Sequence, residues 1–104
     1  MKISLEGKTA WITGAGSGIG RAAVTALVKA GVKVGLSGRR HEPLKETLAA
    51  IQSLKGEGIL APVNVADSEG VVAAAEKIRA ELGEIDILVN SAGLNLPKRR
   101  YSEM

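Results

Sequence analysis

Residues 9–20 constrain this chain more than any other stretch. An apolar run, Thr9-Ala10-Trp11-Ile12, leads into Thr13-Gly14-Ala15-Gly16-Ser17-Gly18-Ile19-Gly20, and a helical pattern follows without a break. Strand, glycine-rich turn and helix in direct succession put a helix N-terminus at the carboxyl end of a strand. There the free backbone N–H groups and the helix dipole both favour negative charge. Four glycines within seven positions, Gly14 to Gly20, permit turns that a Cβ would forbid and let a ligand approach closely. The stretch reads as a phosphate-binding turn.

The rest of the chain repeats the strand–helix theme. Residues 8–13 read as a first strand. Residues 18–30 read as a helix in which Ile19, Ala23, Ala26, Leu27 and Ala30 recur at helical spacing and predict a packing face. Gly31 stands where a helix end takes a left-handed residue. Residues 32–37 form a second strand, and Gly38-Arg39-Arg40-His41 a turn with His41 on the surface. Pro43 suits the first turn of a second helix, with Leu44, Leu48, Ile51 and Leu54 on its apolar side, and Lys55-Gly56-Glu57-Gly58 ends it. Residues 59–65 read as a third strand, in which Pro62 is tolerable only near a sheet edge. Asp67 or Ser68 caps a third helix that buries Val71, Ala75, Ile78 and Leu82 and closes at Gly83. Residues 85–90 form a fourth strand, and Ser91-Ala92-Gly93 turns out of it.

Alternating strands and helices with short connections predict an α/β fold. The sheet is parallel, with right-handed crossovers and order 3-2-1-4. The nucleotide crevice is expected where that order reverses, between strands 1 and 4. The 104 residues suffice for a real core, and with no Phe, one Trp and one Tyr that core is aliphatic, Trp11 included within a strand. Cysteine is absent and His41 is the single histidine, which excludes a disulfide framework and thiolate or His-rich metal sites. No apolar run approaches a membrane span and the first residues do not resemble a signal peptide, so a cytoplasmic protein without membrane contact is predicted. The net charge of +3 is mild and stacking aromatics are nearly missing, so nucleic acid is not an expected partner. Lys98-Arg99-Arg100 reads as a solvated loop.

Spacing discriminates among glycine turns. A P-loop needs two glycines with four residues between them, followed by Lys and Ser/Thr, but counting from Gly14 reaches Ile19 and from Gly16 reaches Arg21. The pattern G-x-G-x-x-G also fails at Ile19. Gly14, Gly16 and Gly18 satisfy the G-x-G-x-G of methyltransferases, but the acids expected before the turn and after strand two are replaced by Ile12 and residues 37–39. T-G-x-x-x-G-x-G, from Thr13 to Gly20, fits, and here the chain resembles the short-chain dehydrogenase/reductase family. Three further segments agree: Gly38-Arg39-Arg40 after strand two, Asn64-Val65-Ala66-Asp67 in place of D-V-x-D, and residues 86–93 in place of D-x-L-V-N-N-A-G. Asn64 replaces an Asp and Ser91 an Asn; an amide carbonyl still accepts from an adenine amino group, and Ser91 keeps a small polar side chain.

The resemblance implies a Rossmann-like cofactor site. Gly14, Ser17, Gly18 and Ile19 would contact the pyrophosphate and nearby ribose, and Gly20 would allow close helix–strand packing. Asn64 and Val65 would flank the adenine, and Asn90, Ala92 and Gly93 would line the path of ribose and diphosphate. Members that bind NAD carry an acid at the end of strand two. This chain has Gly38 there, then Arg39 and Arg40, and a guanidinium matches a 2′-phosphate, so NADP is expected over NAD.

The family reaction is hydride transfer between nicotinamide and a carbonyl or alcohol, run by a Ser and a Tyr-x-x-x-Lys well beyond the N-A-G turn. Tyr101 comes too soon after Gly93, a Lys four residues later falls outside the sequence, and Ser102 has no support. No catalytic residue is therefore assigned. Residues 1–104 read as the N-terminal, cofactor-binding part of one Rossmann domain whose catalytic half is absent, inactive by itself. The substrate classes implied are 3-oxoacyl thioesters or sugars and polyols, and the full-length protein is expected to be a homo-oligomer. The competing expectation is an NADP-binding module without catalysis. Were the fold to stop after strand 4, its edge would be open and prone to association.

Overall fold

The computed structural model describes residues 5–16, 18–38, 40–61, 63 and 68–90. The elements run β1 (Thr9–Thr13), α1 (Gly18–Lys29), β2 (Lys33–Ser37), α2 (His41–Ser53), β3 (Gly58–Leu60), α3 (Ser68–Leu82) and β4 (Ile87–Asn90). The strands form one sheet of order β3-β2-β1-β4, and every pairing is parallel. This is the α/β arrangement expected from the alternation of elements, with β3, the strand preceding Pro62, at an edge.

Strand alternation sorts side chains onto two faces. Ala10 and Ile12 of β1, Val34 and Leu36 of β2, and Ile87 and Val89 of β4 pack with Val24, Val28, Leu44 and Ile51 of α1 and α2. Trp11 of β1 packs on the other face with Ala61 and with Ala74, Ile78 and Leu82 of α3. Gly35 lies under Ile78: a Cβ there would meet Ile78 Cδ1 at 2.5 Å, so α3 sits this close to the sheet only over a residue without a side chain.

On the α3 face the strands themselves present buried polar groups. Trp11 Nε1 donates to Ser37 Oγ at 2.7 Å, and Ser37 Oγ donates to the Ala61 carbonyl at 2.6 Å. At the other end of the strands, Thr9 Oγ1 and Lys33 Nζ both donate to the last carbonyl of α3, Leu82 O, at 3.1 and 2.6 Å. Thr9 N donates to Asp86 Oδ2 at 3.0 Å, and Asp86 N returns a bond to Thr9 O at 2.8 Å. Asp86 thereby seats β4 against β1, and regular pairing starts at Ile87 rather than at residue 85.

The helix ends follow their local chemistry. Gly31 has φ +88°, with Val32 N on Leu27 O and Gly31 N on Val28 O, both at 3.0 Å; these two bonds are the Schellman pattern. α2 ends in the same pattern, with Gly56 N on Ile51 O at 2.8 Å and Lys55 N on Gln52 O at 2.9 Å. Here the left-handed residue is Lys55, at φ +61°, and not a glycine.

Several packing expectations are corrected. α1 buries Gly20, Val24 and Val28 with Leu27 at their side, whereas Ala26 and Ala30 are exposed and Ile19 is 80% exposed. The packing row runs at four-residue steps through a glycine, which contributes nothing to hydropathy, so the spacing of Ile and Ala pointed to the wrong face. Leu54 follows the end of α2 and is exposed, and the buried place on that helix goes to Thr47. On α3, Ala74 is buried while Val71 and Ala75 are half-buried. Regular pairing of β3 covers Gly58–Leu60, and Ala61 N on Leu36 O and Val63 N on Gly38 O extend the contact toward the carboxyl end. Ser68 is the first residue of α3, and Asp67 lies outside the described residues.

Candidate functional site

The carboxyl ends of β1 and β4 lie side by side, with Thr13 in register with Asn90. Thr13 Oγ1 donates to Asn90 Oδ1 at 2.8 Å and tilts toward the Val89 carbonyl at 3.4 Å. From β1 the chain goes through α1 to β2 on one side, and from β3 it returns through α3 to β4 on the other. The order reverses between β1 and β4, and a crevice opens at such a point beyond the carboxyl ends.

The glycine turn starts at this crevice. Gly14 takes φ +68° and Gly18 φ +48°, a region that side chains rarely adopt. A Cβ on Gly18 would meet nothing within 4 Å, so the approach to the first turn of α1 is open. No acid stands in that turn, and the N–H groups of a first helical turn have no partner within the helix. Donors, dipole and open space together fit an anion such as a diphosphate.

Behind, the turn is fastened to its neighbours. Ala15 N donates to Ser37 O at 3.0 Å and ties it to the end of β2. Thr47 Oγ1 donates to the Ala15 carbonyl at 3.0 Å. Arg21 donates from Nε to Thr47 Oγ1 at 2.9 Å and from one terminal nitrogen to the Gly16 and Pro43 carbonyls, both at 3.2 Å. The same nitrogen reaches Glu46 at 3.4 Å, where both side chains are well exposed. A Cβ on Gly16 would lie 2.7 Å from Pro43 Cβ, so this glycine serves contact with α2. Nothing in one-dimensional spacing pairs Arg21 with Thr47, and the sequence reading missed both.

The predicted site residues divide into two groups. Gly14, Gly18, Ile19 and Asn90 stand around the opening between the glycine turn and β4, Asn90 half-buried and Ile19 exposed. Arg40 is exposed at the N-cap of α2, extended at φ −108° and ψ 134°, and makes no side-chain capping bond. Ser17, Arg39, Asn64, Val65, Ala92 and Gly93 lie outside the described residues, as do Tyr101 and Ser102. His41, as expected, is an exposed residue opening α2.

The family model for the short chain dehydrogenases matches residues 8–104. The chain belongs to the short-chain dehydrogenase family. It is 41% identical over 92 residues to the 3-oxoacyl-(acyl-carrier-protein) reductase FabG of Salmonella typhimurium, a match over 88% of this chain and 36% of that protein. The crystal structure of L-sorbose reductase from Gluconobacter frateurii complexed with NADPH and L-sorbose superposes with a TM-score of 0.82 at 32% identity, covering 97% of this chain and 41% of that one. A short-chain dehydrogenase/reductase from Burkholderia phymatum in complex with NAD superposes at 0.80 with 30% identity, covering 84% and 31%. The short-chain dehydrogenase sequence here thus spans about a third of the length of the curated relatives it matches, between 29% and 41% among those of highest similarity. Both nicotinamide cofactors occur among its structural neighbours. Among the described residues no helix is long and apolar enough to cross a membrane.

Proposed function

We propose that this chain is the NADP(H)-binding portion of a short-chain dehydrogenase/reductase. The whole protein would transfer hydride between nicotinamide and a small carbonyl or alcohol substrate, such as a 3-oxoacyl thioester or a sugar or polyol. The observation that carries the reading is the open, acid-free N-terminus of α1 beside Asn90, with Arg40 at the start of α2. Gly14, Ser17, Gly18 and Ile19 hold the diphosphate and its ribose; Asn64 and Val65 flank the adenine; Asn90, Ala92 and Gly93 line the ribose path. Arg39 and Arg40 take the 2′-phosphate. A guanidinium at a helix N-cap opposes the helix dipole, and a bound phosphate relieves that opposition. The bound cofactor supplies or accepts the hydride; the chain's own part is to hold it and set its selectivity.

FabG and the sorbose reductase lend support through their reductase names, the latter also through its NADPH. The proposal extends to one Rossmann domain shared with a catalytic half, a cytoplasmic setting, a homo-oligomer when full length, and no turnover by residues 1–104 alone.

The test is a pair of dissociation constants, for NADPH and NADH, from titration of cofactor fluorescence. NADPH is expected to bind more tightly by at least about tenfold, since a charge-assisted bidentate phosphate contact is worth more than about 1.4 kcal/mol. Arg39→Ala is expected to weaken NADPH and leave NADH almost unchanged. Equal constants in the unaltered chain would sink the NADP assignment. Tight NADPH binding without turnover in the full-length protein would favour a purely binding module.

A further inference from the structure

We propose that Thr47 and Arg21 are positioning residues for the cofactor site, locking the glycine turn onto the first turn of α2 so that cofactor affinity depends on a hydroxyl no cofactor can touch. The inference rests on the dinucleotide reading above and adds to it two residues on neither the glycine motif nor the basic turn.

Thr47 is completely buried, with a relative exposure of 0%. Its hydroxyl has one proton and two candidate acceptors: Ala15 O at 3.0 Å in the turn and Pro43 O at 3.1 Å one helical turn back. Left to itself, a threonine within a helix bonds the carbonyl four residues earlier. Arg21 shifts that balance. It supplies Pro43 O with a donor of its own and places Nε–H on a Thr47 lone pair, which leaves the hydroxyl proton for Ala15. The guanidinium also takes the next turn carbonyl, Gly16 O. Two successive carbonyls of the glycine turn are thereby held in place, and the missing Cβ at Gly16 lets the turn rest on Pro43.

The consequence is mechanical. Arg40 is the N-cap of α2, and the first turn of that helix supplies Pro43 to the clamp. The glycine turn and the first turn of α2, with Arg40 at its N-cap, are therefore joined through one set of hydrogen bonds. Ordering two anion-binding segments before the ligand arrives lowers the entropy lost on binding. A forked donor set is needed, because a lysine at position 21 offers a point charge and cannot reproduce donors from two separate nitrogens to the hydroxyl and both carbonyls.

The experiment measures NADPH and NADH dissociation constants for the unaltered chain and for Thr47→Val, Thr47→Ser, Arg21→Gln, Arg21→Lys and Ile78→Val. Backbone amide NMR spectra are recorded without cofactor. Thr47→Val and Arg21→Gln should each weaken NADPH binding roughly tenfold, as losing one buried, network-forming hydrogen bond does. Thr47→Ser keeps the hydroxyl and should stay within about twofold. Arg21→Lys should behave like Arg21→Gln. The Ala15 and Gly16 amide signals should move in Thr47→Val before any cofactor is added. Ile78→Val loosens the opposite face of the sheet, so it should lower the melting temperature and leave both constants unchanged. That separates positioning from a general loss of stability. Thr47→Val with unaltered NADPH affinity, beside an unaltered chain that binds, overturns this inference alone. Should Thr47→Val fail to fold, Arg21→Lys decides: wild-type affinity there overturns the inference, and weakened affinity supports it. If the unaltered chain binds neither cofactor, the dinucleotide reading falls and takes this proposal with it.

Discussion

The two faces of the sheet are built on different principles. Toward α1 and α2 the strands present Ala10, Ile12, Val34, Leu36 and Val89, and the helices answer with Val24, Val28, Leu44 and Ile51. Toward α3 the same strands present Thr9, Trp11, Lys33, Gly35 and Ser37, and hydrogen bonds to α3 and to β3's continuation do much of the locating. Dispersion and burial are non-directional, so the strand–helix contacts of the first face set how tightly the helices pack, and its directional bonds lie beyond the strand ends, where Arg21 and Thr47 hold the glycine turn. Hydrogen bonds are directional, so the second face sets register. The polar face also runs from Asp86 and Thr9 at one end to Thr13 and Asn90 at the other, where the candidate site lies.

Leu36→Ala should be the most damaging single change. The side chain is fully buried in the aliphatic face, and truncation should cost about 2–5 kcal/mol, read from the denaturant midpoint with an unchanged slope. Ser37→Ala, one residue on, should cost about 1–3 kcal/mol, because it strands the Trp11 indole N–H and the Ala61 carbonyl without their shared partner. Trp11 is the chain's single tryptophan, so its emission reports that loss directly. A Ser37→Ala cost larger than that of Leu36→Ala would break the contrast between the faces. The smallest effect belongs to Lys33→Met, about 0.3–1 kcal/mol. It removes a half-buried ammonium from the terminal carbonyl of α3, and the deficit should shrink as salt is raised. A deficit that ignores salt would assign Lys33 to packing rather than to the helix dipole.

This contrast also explains which parts of the molecule could be read from its sequence. Element order, the parallel sheet and the 3-2-1-4 arrangement follow from period and punctuation, and Gly31 and Gly83 close helices where their positions suggest. The buried face of α1 did not follow, because its row passes through Gly20 while Ile19, the most apolar residue of the first turn, faces outward. Lys55 was not legible as the left-handed end of α2, because the neighbouring Gly56 is the expected residue for that place. The structure gives Gly56 another reason to be small: a Cβ there would run into Val28. At the candidate site the glycine motif announced the turn, but what fastens it was silent. Arg21 and Thr47 stand 26 residues apart and meet only after α1 and α2 have docked.

β1 is an interior strand, flanked by β2 and β4, and the Thr13–Asn90 bond to β4 joins residues 77 positions apart. During synthesis at about 5–20 residues per second, β1 would wait roughly 4–15 s for that neighbour. The strand that leads into the glycine turn is thus made well before one of its two neighbours. For that interval one side of β1 must be shielded by the ribosome, by a chaperone or by transient contacts with α1. Substitutions that slow β4 in reaching it would lower the yield of folded protein even where final stability is unchanged.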